Sequence, residues 1–165
     1  MIYQTHHKTP IGTLRLKFSK VGLLELHLVS ETEPGAENHE LAQPYIQQID
    51  EYFAGERFKF DLPLDLGDLP LFQQDVLRMI ASIPYGKTRS YKQLASVLGK
   101  PKASRAVGQA SNRNPIAIII PCHRVIGNDG KLTGYAYGLG IKRELLEMEN
   151  PQAFKHQMAL FETLV

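Results

Sequence analysis

The sequence predicts an α+β protein: a small mixed N-terminal domain with antiparallel strands and a helix, followed by a mainly helical domain containing a helix-turn-helix. Three observations lead there. Period-two alternation of apolar residues is confined to the first third, helical-period stripes dominate from residue 71 onward, and a stretch bounded by glycine and proline, residues 67–70, lies between the two parts. The expected division is a domain at 1–66, a linker at 67–70, a second domain at 71–150 and an extension at 151–165. At 165 residues and 43% apolar content, the chain can bury one core or two small ones without disulfides, which its single cysteine could not supply internally.

Each element follows from a local pattern. Leu14, Leu16 and Phe18 share one face, Lys20-Val21-Gly22 makes a turn, and Leu24, Leu26 and Leu28 continue the alternation, so a hairpin is expected. Residues 37–54 read as a helix with Ile46, Ile49 and Phe53 on one side, a break at Pro44 and a stop at Gly55. Residues 58–66, interrupted by Pro63, do not suit a central strand. Phe72, Val76, Met79, Ile80 and Ile83 then form a helical stripe that must end before Pro84. Ser90 with Gln93 fits a capping box ahead of a helix at 91–98, which buries Leu94, Ala95 and Leu98 and is closed by Gly99. The turn Lys100-Pro101-Lys102 leads to a second helix at 103–113. The apolar run 116–120 reads as a buried strand delivering Pro121-Cys122-His123-Arg124. In the extension, Phe154, Met158, Phe161 and Val165 recur near helical spacing, and a helix is expected that caps the core, with binding to a partner as the alternative.

Charge is distributed unevenly. Residues 84–143 carry eleven Lys and Arg against the lone Asp129, a net +10, while the remainder is −8. Such a block is the footprint of a polyanion-binding surface, although a merely solvated basic face has the same composition. The helix at 103–113 is built from small residues, with Arg105 and Gln109 as its main long polar side chains. It could approach a groove floor closely while reading few bases, and the same small residues also serve tight helix packing. Cys122 stands at an element boundary beside His123 and Arg124. An ordinary thiol, with pKa about 8.5, is only a few per cent thiolate at neutral pH, so a nucleophile here would need help from Arg124, an imidazolium or backbone amides. A lone cysteine after an isoleucine run is, on local context alone, more often an inert core residue than a nucleophile.

The octet IPCHRVIG, 120–127, resembles the active-site motif of the O6-alkylguanine-DNA alkyltransferases, also called methylated-DNA–protein-cysteine methyltransferases. PYGKTRSYKQLA (84–95), KASRAVGQA (102–110), RNP (113–115), GY (134–135) and KRELLEMEN (142–150) are similar to that family's flanking segments, in the same order. The resemblance covers residues 70–150; the first 66 resemble the family's variable N-terminal domain in position and strand pattern. It implies a ribonuclease-H-like first domain and a winged-helix-like second one. By the same resemblance Cys122 would accept an alkyl group from O6 of guanine, irreversibly, because a thioether offers water no acyl carbon to attack. His123 would take the thiol proton through water and Glu149 would orient that imidazole. Asn114 would brace the loop, Tyr91 would meet charge on the departing base, and Arg105 would fill the space of an extruded nucleotide. Ala103, Ser104, Ala106, Gln109, Arg113 and Arg124 would contact DNA, and Val125, Tyr135, Ala136 and Tyr137 would line the base pocket with Tyr91. No cofactor or metal is implied, the partner would be double-stranded DNA bearing O6-alkylguanine, with O4-alkylthymine as a second substrate, and the chain would act as a monomer, with cooperative assembly on DNA left open.

Some features depart from the family pattern. Tyr137 replaces a frequent glycine, so methyl and ethyl lesions are expected to be preferred over benzyl, and Ala136 lacks a frequent hydroxyl. A single cysteine also leaves no cysteine-containing zinc site. Two rivals fit less well. Alkyltransferase-like proteins, which bind lesions without transfer, typically carry Trp in place of the acceptor, and this chain has Cys122 and no Trp. A helix-turn-helix regulator would present more base-reading side chains. The N-terminus shows no signal-peptide pattern and no stretch is long and apolar enough to span a membrane, so a reducing, cytoplasmic setting is expected.

Overall fold

The computed structural model describes residues 1–30 and 40–152. The described residues form two compact units, one comprising 1–30 and 40–69 with Pro115–Ile119, the other Pro70–Asn114 and 120–152. The architecture is α+β, as the sequence patterns require. No helix among the described residues is long and apolar enough to cross a membrane.

The first unit is an antiparallel sheet ordered β1 (Tyr3–Thr9), β2 (Gly12–Phe18), β3 (Leu23–Val29), with Thr5, Leu16 and Leu26 in register across it. The expected hairpin is β2–β3, and β1 adds a strand that the alternation had not signalled. Leu23 rather than Leu24 is buried, because the register shifts between Lys17 and Phe18. Residues 63–65 run against this strand: Leu23 N–H donates to Pro63 at 2.9 Å and Asp65 N–H to Leu23 at 2.8 Å. That approach demands Gly22, where a Cβ would lie 2.7 Å from the Pro63 oxygen.

The helix α1 spans Gln43–Phe53, and residues 37–39 of the expected helix lie outside the described residues. Pro44 sits in the first turn, where a missing N–H is harmless, so it starts the helix instead of breaking it. The buried face is Tyr45, Ile49 and Tyr52, not Ile46, Ile49 and Phe53. Tyrosine can take a core position when its hydroxyl finds an acceptor, and Tyr45 donates to Pro63 O at 3.2 Å while its ring stacks 6.0 Å from Phe18. Residues 116–120 are buried as expected but are not a strand. Only Ile116 bridges to Leu26, after which the chain turns through Ile118 at φ +70°.

In the second unit α2 (Leu71–Ala81) buries Val76, Leu77 and Ile80, with Phe72 and Met79 only half-buried. The strand β4 (Arg89–Ser90) pairs in parallel with β5 (Val125–Ile126), neither of which the sequence announced. Between them come α3 (Tyr91–Val97) and α4 (Ser104–Asn112), packed against each other, and α5 (Leu139–Glu149) follows, burying Leu145 and Leu146. The capping box forms in full: Ser90 Oγ accepts from Gln93 N–H at 3.1 Å and Gln93 accepts from Ser90 N–H at 2.8 Å. At the other end Gly99, at φ +74°, and Lys100 donate to Ser96 and Ala95, the paired bonds of a Schellman motif. The well-terminated α3 thus supports α4, whose Arg105, Gln109 and Asn112 are exposed. Of the extension, residues 153–165, and with them the expected terminal helix, lie outside the described residues.

Candidate active site

Two three-residue turns steer the chain into Cys122. Ile119 N–H donates to Ala117 O at 2.7 Å around Ile118, and Cys122 N–H donates to Ile120 O at 2.8 Å around Pro121, whose φ −81° and ψ 65° are those of an inverse γ-turn. A β-branched residue at positive φ costs about 1–3 kcal/mol, which the fully packed Ile118 side chain helps to offset. Asn114 Nδ2 donates to Ile120 O at 2.8 Å and its amide also hydrogen-bonds the Cys122 sulfur, so one buried side chain ties the turn to the thiol.

Cys122, His123 and Arg124 form a single 3-10 turn, all three buried. His123 Nε2 lies 2.6 Å from Glu149 Oε2, while Nδ1 is buried with no protein partner among the described residues. Burial holds the imidazole below its ordinary pKa and so favours the neutral ring, despite the opposing pull of Glu149. Burial also works on the Glu149 carboxyl, pushing it up, but the His123 and Arg124 bonds win and hold it well below its ordinary value. The assignment that satisfies both groups is a carboxylate accepting Nε2–H, which leaves Nδ1 as a lone pair.

Arg124 corrects an expectation. Rather than reaching DNA, it is 6% exposed and committed inward. Its Nε donates to Glu149 Oε1 at 2.7 Å, Nη2 to Oε2 at 3.0 Å and Nη1 to Ile83 O at 2.7 Å, with the Tyr85 ring 5.7 Å away. A guanidinium is buried only when its fork is filled, and Glu149 fills it. Nor does Arg124 act on the thiol. Burial pushes the Cys122 thiol up, and the groups that oppose it are Asn114, the Lys142 ammonium and the N–H groups of Cys122 and His123.

Lys142 is the residue that the charge count concealed. It is fully buried, donating to the carbonyls of Val125, Thr133 (2.9 Å) and Gly134 (3.3 Å). Burial draws its pKa down to about 8, with Cys122 pulling the other way. Two of the eleven cations in residues 84–143 are therefore interior. Only the position of Lys142 in α5, about two turns before Glu149 on the helix, could have hinted at it.

Around the thiol, Tyr91 Oη donates to Thr133 O at 3.0 Å, and its ring faces Gly108 of α4. Tyr135 is half-buried with Oη enclosed and unpartnered among the described residues, its ring 5.6 Å from Tyr137 in an edge contact. Burial, reinforced by Cys122, Tyr137 and Glu149, pushes the Tyr135 phenol far up. Ala136 is exposed; Val125 is fully buried and offers the site its carbonyl. On α4, Arg105 and Gln109 are exposed, Ala103, Ser104 and Ala106 are half-buried, and Arg113 is exposed at the helix end. Asn112 extends the exposed line at the next helical turn and borders Gly134 beside the Tyr91 hydroxyl, a position read from neither motif nor charge. In sum, the structure brings Cys122, His123, Glu149, Asn114 and Tyr135 together around a neutral imidazole.

Residues 2–66 match the family described as 6-O-methylguanine DNA methyltransferase, ribonuclease-like domain, and residues 71–151 match its DNA binding domain. The methylated-DNA–protein-cysteine methyltransferase of Mycobacterium tuberculosis is 45% identical over 158 residues, 93% of this chain and 95% of that protein. Its namesake from Methanosarcina barkeri is 47% identical over 148 residues, 86% and 93% of the two chains. The crystal structure of Mycobacterium tuberculosis OGT in complex with DNA aligns with a TM-score of 0.83 at 44% identity, covering 90% of this chain and 93% of the other.

Proposed function

Since the chain belongs to the 6-O-methylguanine DNA methyltransferase family, we propose that it is a DNA-repair protein that transfers an alkyl group, chiefly methyl, from O6 of guanine to its own cysteine. The carrying observation is the chain's one cysteine next to an imidazole whose far nitrogen is engaged by a buried carboxylate. Cys122 sulfur attacks the alkyl carbon, the S–C bond forms as the C–O6 bond breaks, and guanine leaves as its anion. The thiol proton passes through water to Nδ1 of His123, and Glu149 stabilises the imidazolium. The buried, upward-shifted thiol stays protonated until a substrate arrives, which protects it from casual oxidation.

O6 lies within the base stack, so the nucleotide must swing out, and we assign Arg105 of α4 to the gap it leaves. Ala103, Ser104, Ala106, Gln109 and Arg113 follow the groove and phosphates around it. Tyr91 leaves Thr133 O to meet the departing guanine. Tyr135, Ala136 and Tyr137 flank the base, and the Tyr137 ring restricts the space for large adducts. The chain acts as a monomer on double-stranded DNA, and O4-alkylthymine is a lesser substrate.

A duplex with one labelled O6-methylguanine tests this. Transfer is expected to plateau at one methyl per protein chain, with none in Cys122→Ala, and methyl lesions are expected to react faster than benzyl ones. Continued turnover past the plateau, or tight lesion binding without transfer, contradicts the reading; equal methyl and benzyl rates contradict only the part given to Tyr137.

A further inference from the structure

The loop after the active-site turn reaches back to the helix that carries Tyr91. Gly127 N–H donates to Lys131 O and Gly130 N–H to Gly127 O, each at 2.9 Å, while Asp129 Oδ1 accepts from Lys131 N–H at 3.0 Å. The turn requires Gly127, since a Cβ there would lie 2.9 Å from Asp129 Oδ1 and 3.1 Å from Lys131 O. Its tip carries Asn128, whose Oδ1 accepts from Lys92 N–H at 3.0 Å, across 36 positions of sequence.

That amide is one of the orphan donors in the first turn of α3. Ser90 satisfies the Gln93 amide, and Asn128 satisfies that of Lys92. Tyr91 lies between Ser90 and Lys92, so its backbone is held from both sides. Ser90 is held a second time, because it pairs with Ile126 in the β4–β5 ladder. The Tyr91 hydroxyl is held by Thr133 O, from the same loop that supplies Asn128. Helix start, phenol and active-site turn are thereby joined through residues 122–133.

We propose that Asn128 is a positioning residue for alkyl transfer, fixing Tyr91 relative to Cys122 without itself touching the reacting atoms. The inference rests on the function proposed above. Asn128 is exposed, so its removal takes away a tether and leaves the core packed.

The test is the single-turnover rate at saturating protein on O6-methylguanine duplex, with duplex affinity measured alongside. Asn128→Ala is expected to slow the limiting rate about fivefold to tenfold, the factor one displaced hydrogen bond is worth, with affinity changed less than about twofold. Asn128→Asp, which can still accept the Lys92 amide, is expected to restore the rate. In a Tyr91→Phe background, Asn128→Ala is expected to add no further loss, because both changes act on one hydroxyl. A wild-type rate in Asn128→Ala, or losses that multiply with Tyr91→Phe, would overturn the proposal. A wild-type chain that transfers no methyl overturns the functional reading itself, a distinct result.

Discussion

Glu149→Gln is expected to damage stability and transfer together. The carboxylate accepts from His123 and from two nitrogens of Arg124, and lies 3.3 Å from Gly86 N–H, all in a buried setting. The amide keeps the shape but leaves the Arg124 guanidinium inside without its counter-charge, a loss of about 3 kcal/mol by analogy with broken buried pairs. It also removes the charge that stabilises an imidazolium, so the limiting rate should fall at least about a hundredfold, the lower range of what general-base catalysis supplies. A pH signature accompanies the change. The folded-state pKa of Glu149 lies below its ordinary 4.5, so its stabilising contribution is complete above that value and is lost as pH falls toward the folded pKa. Wild-type thermal stability should therefore drop on acidification through this window, and Glu149→Gln should drop less. Equal acid sensitivity of the two proteins would refute the assignment of the charge to Glu149.

Arg105→Ala is expected to leave the fold intact and to slow repair of duplex DNA by about tenfold to a hundredfold, part of the few kcal/mol needed to unstack a nucleotide. Arg105 is exposed on α4, in line with Gln109 and Asn112, so no core contact is lost. A single-stranded substrate has no stack to refill, and its rate should change much less. Arg105→Lys separates the two contributions of the guanidinium: it should retain most of the affinity, a charge effect, and regain little of the rate. Equal losses on single and double strands would assign Arg105 to phosphate binding alone.

The ends of α3, the β2–β3 hairpin and the helix-turn-helix are legible because each is signalled by local chemistry: Ser90 with Gln93, Gly99, and alternation about a Gly22 turn. The run 116–120 misled because burial and strand formation leave the same apolar signature, and no pattern of residue types signals a positive φ at Ile118. Alternation also could not reveal the register shift that exchanges Leu24 for Leu23. At the site, the identities of Cys122, His123 and Glu149 came from resemblance, since 26 positions separate the imidazole from its carboxylate. The interior placement of Arg124 and Lys142 is not legible in sequence, because a count of charges carries no information on burial. A guanidinium beside a buried glutamate and an ammonium ringed by three carbonyls are interior residues whatever their neighbours in sequence. Asn128 and Asn112 were invisible for the opposite reason, being ordinary surface residues whose importance is positional.

The mass of the peptide containing Cys122, taken after reaction with an excess of O6-methylguanine duplex, bears on the sulfur itself. The expected spectrum shows that peptide heavier by a single methyl in every chain that has reacted, with no methyl on any other peptide. An unmodified Cys122 in a preparation that has cleared the lesion, or a methyl found on another residue, would contradict the account.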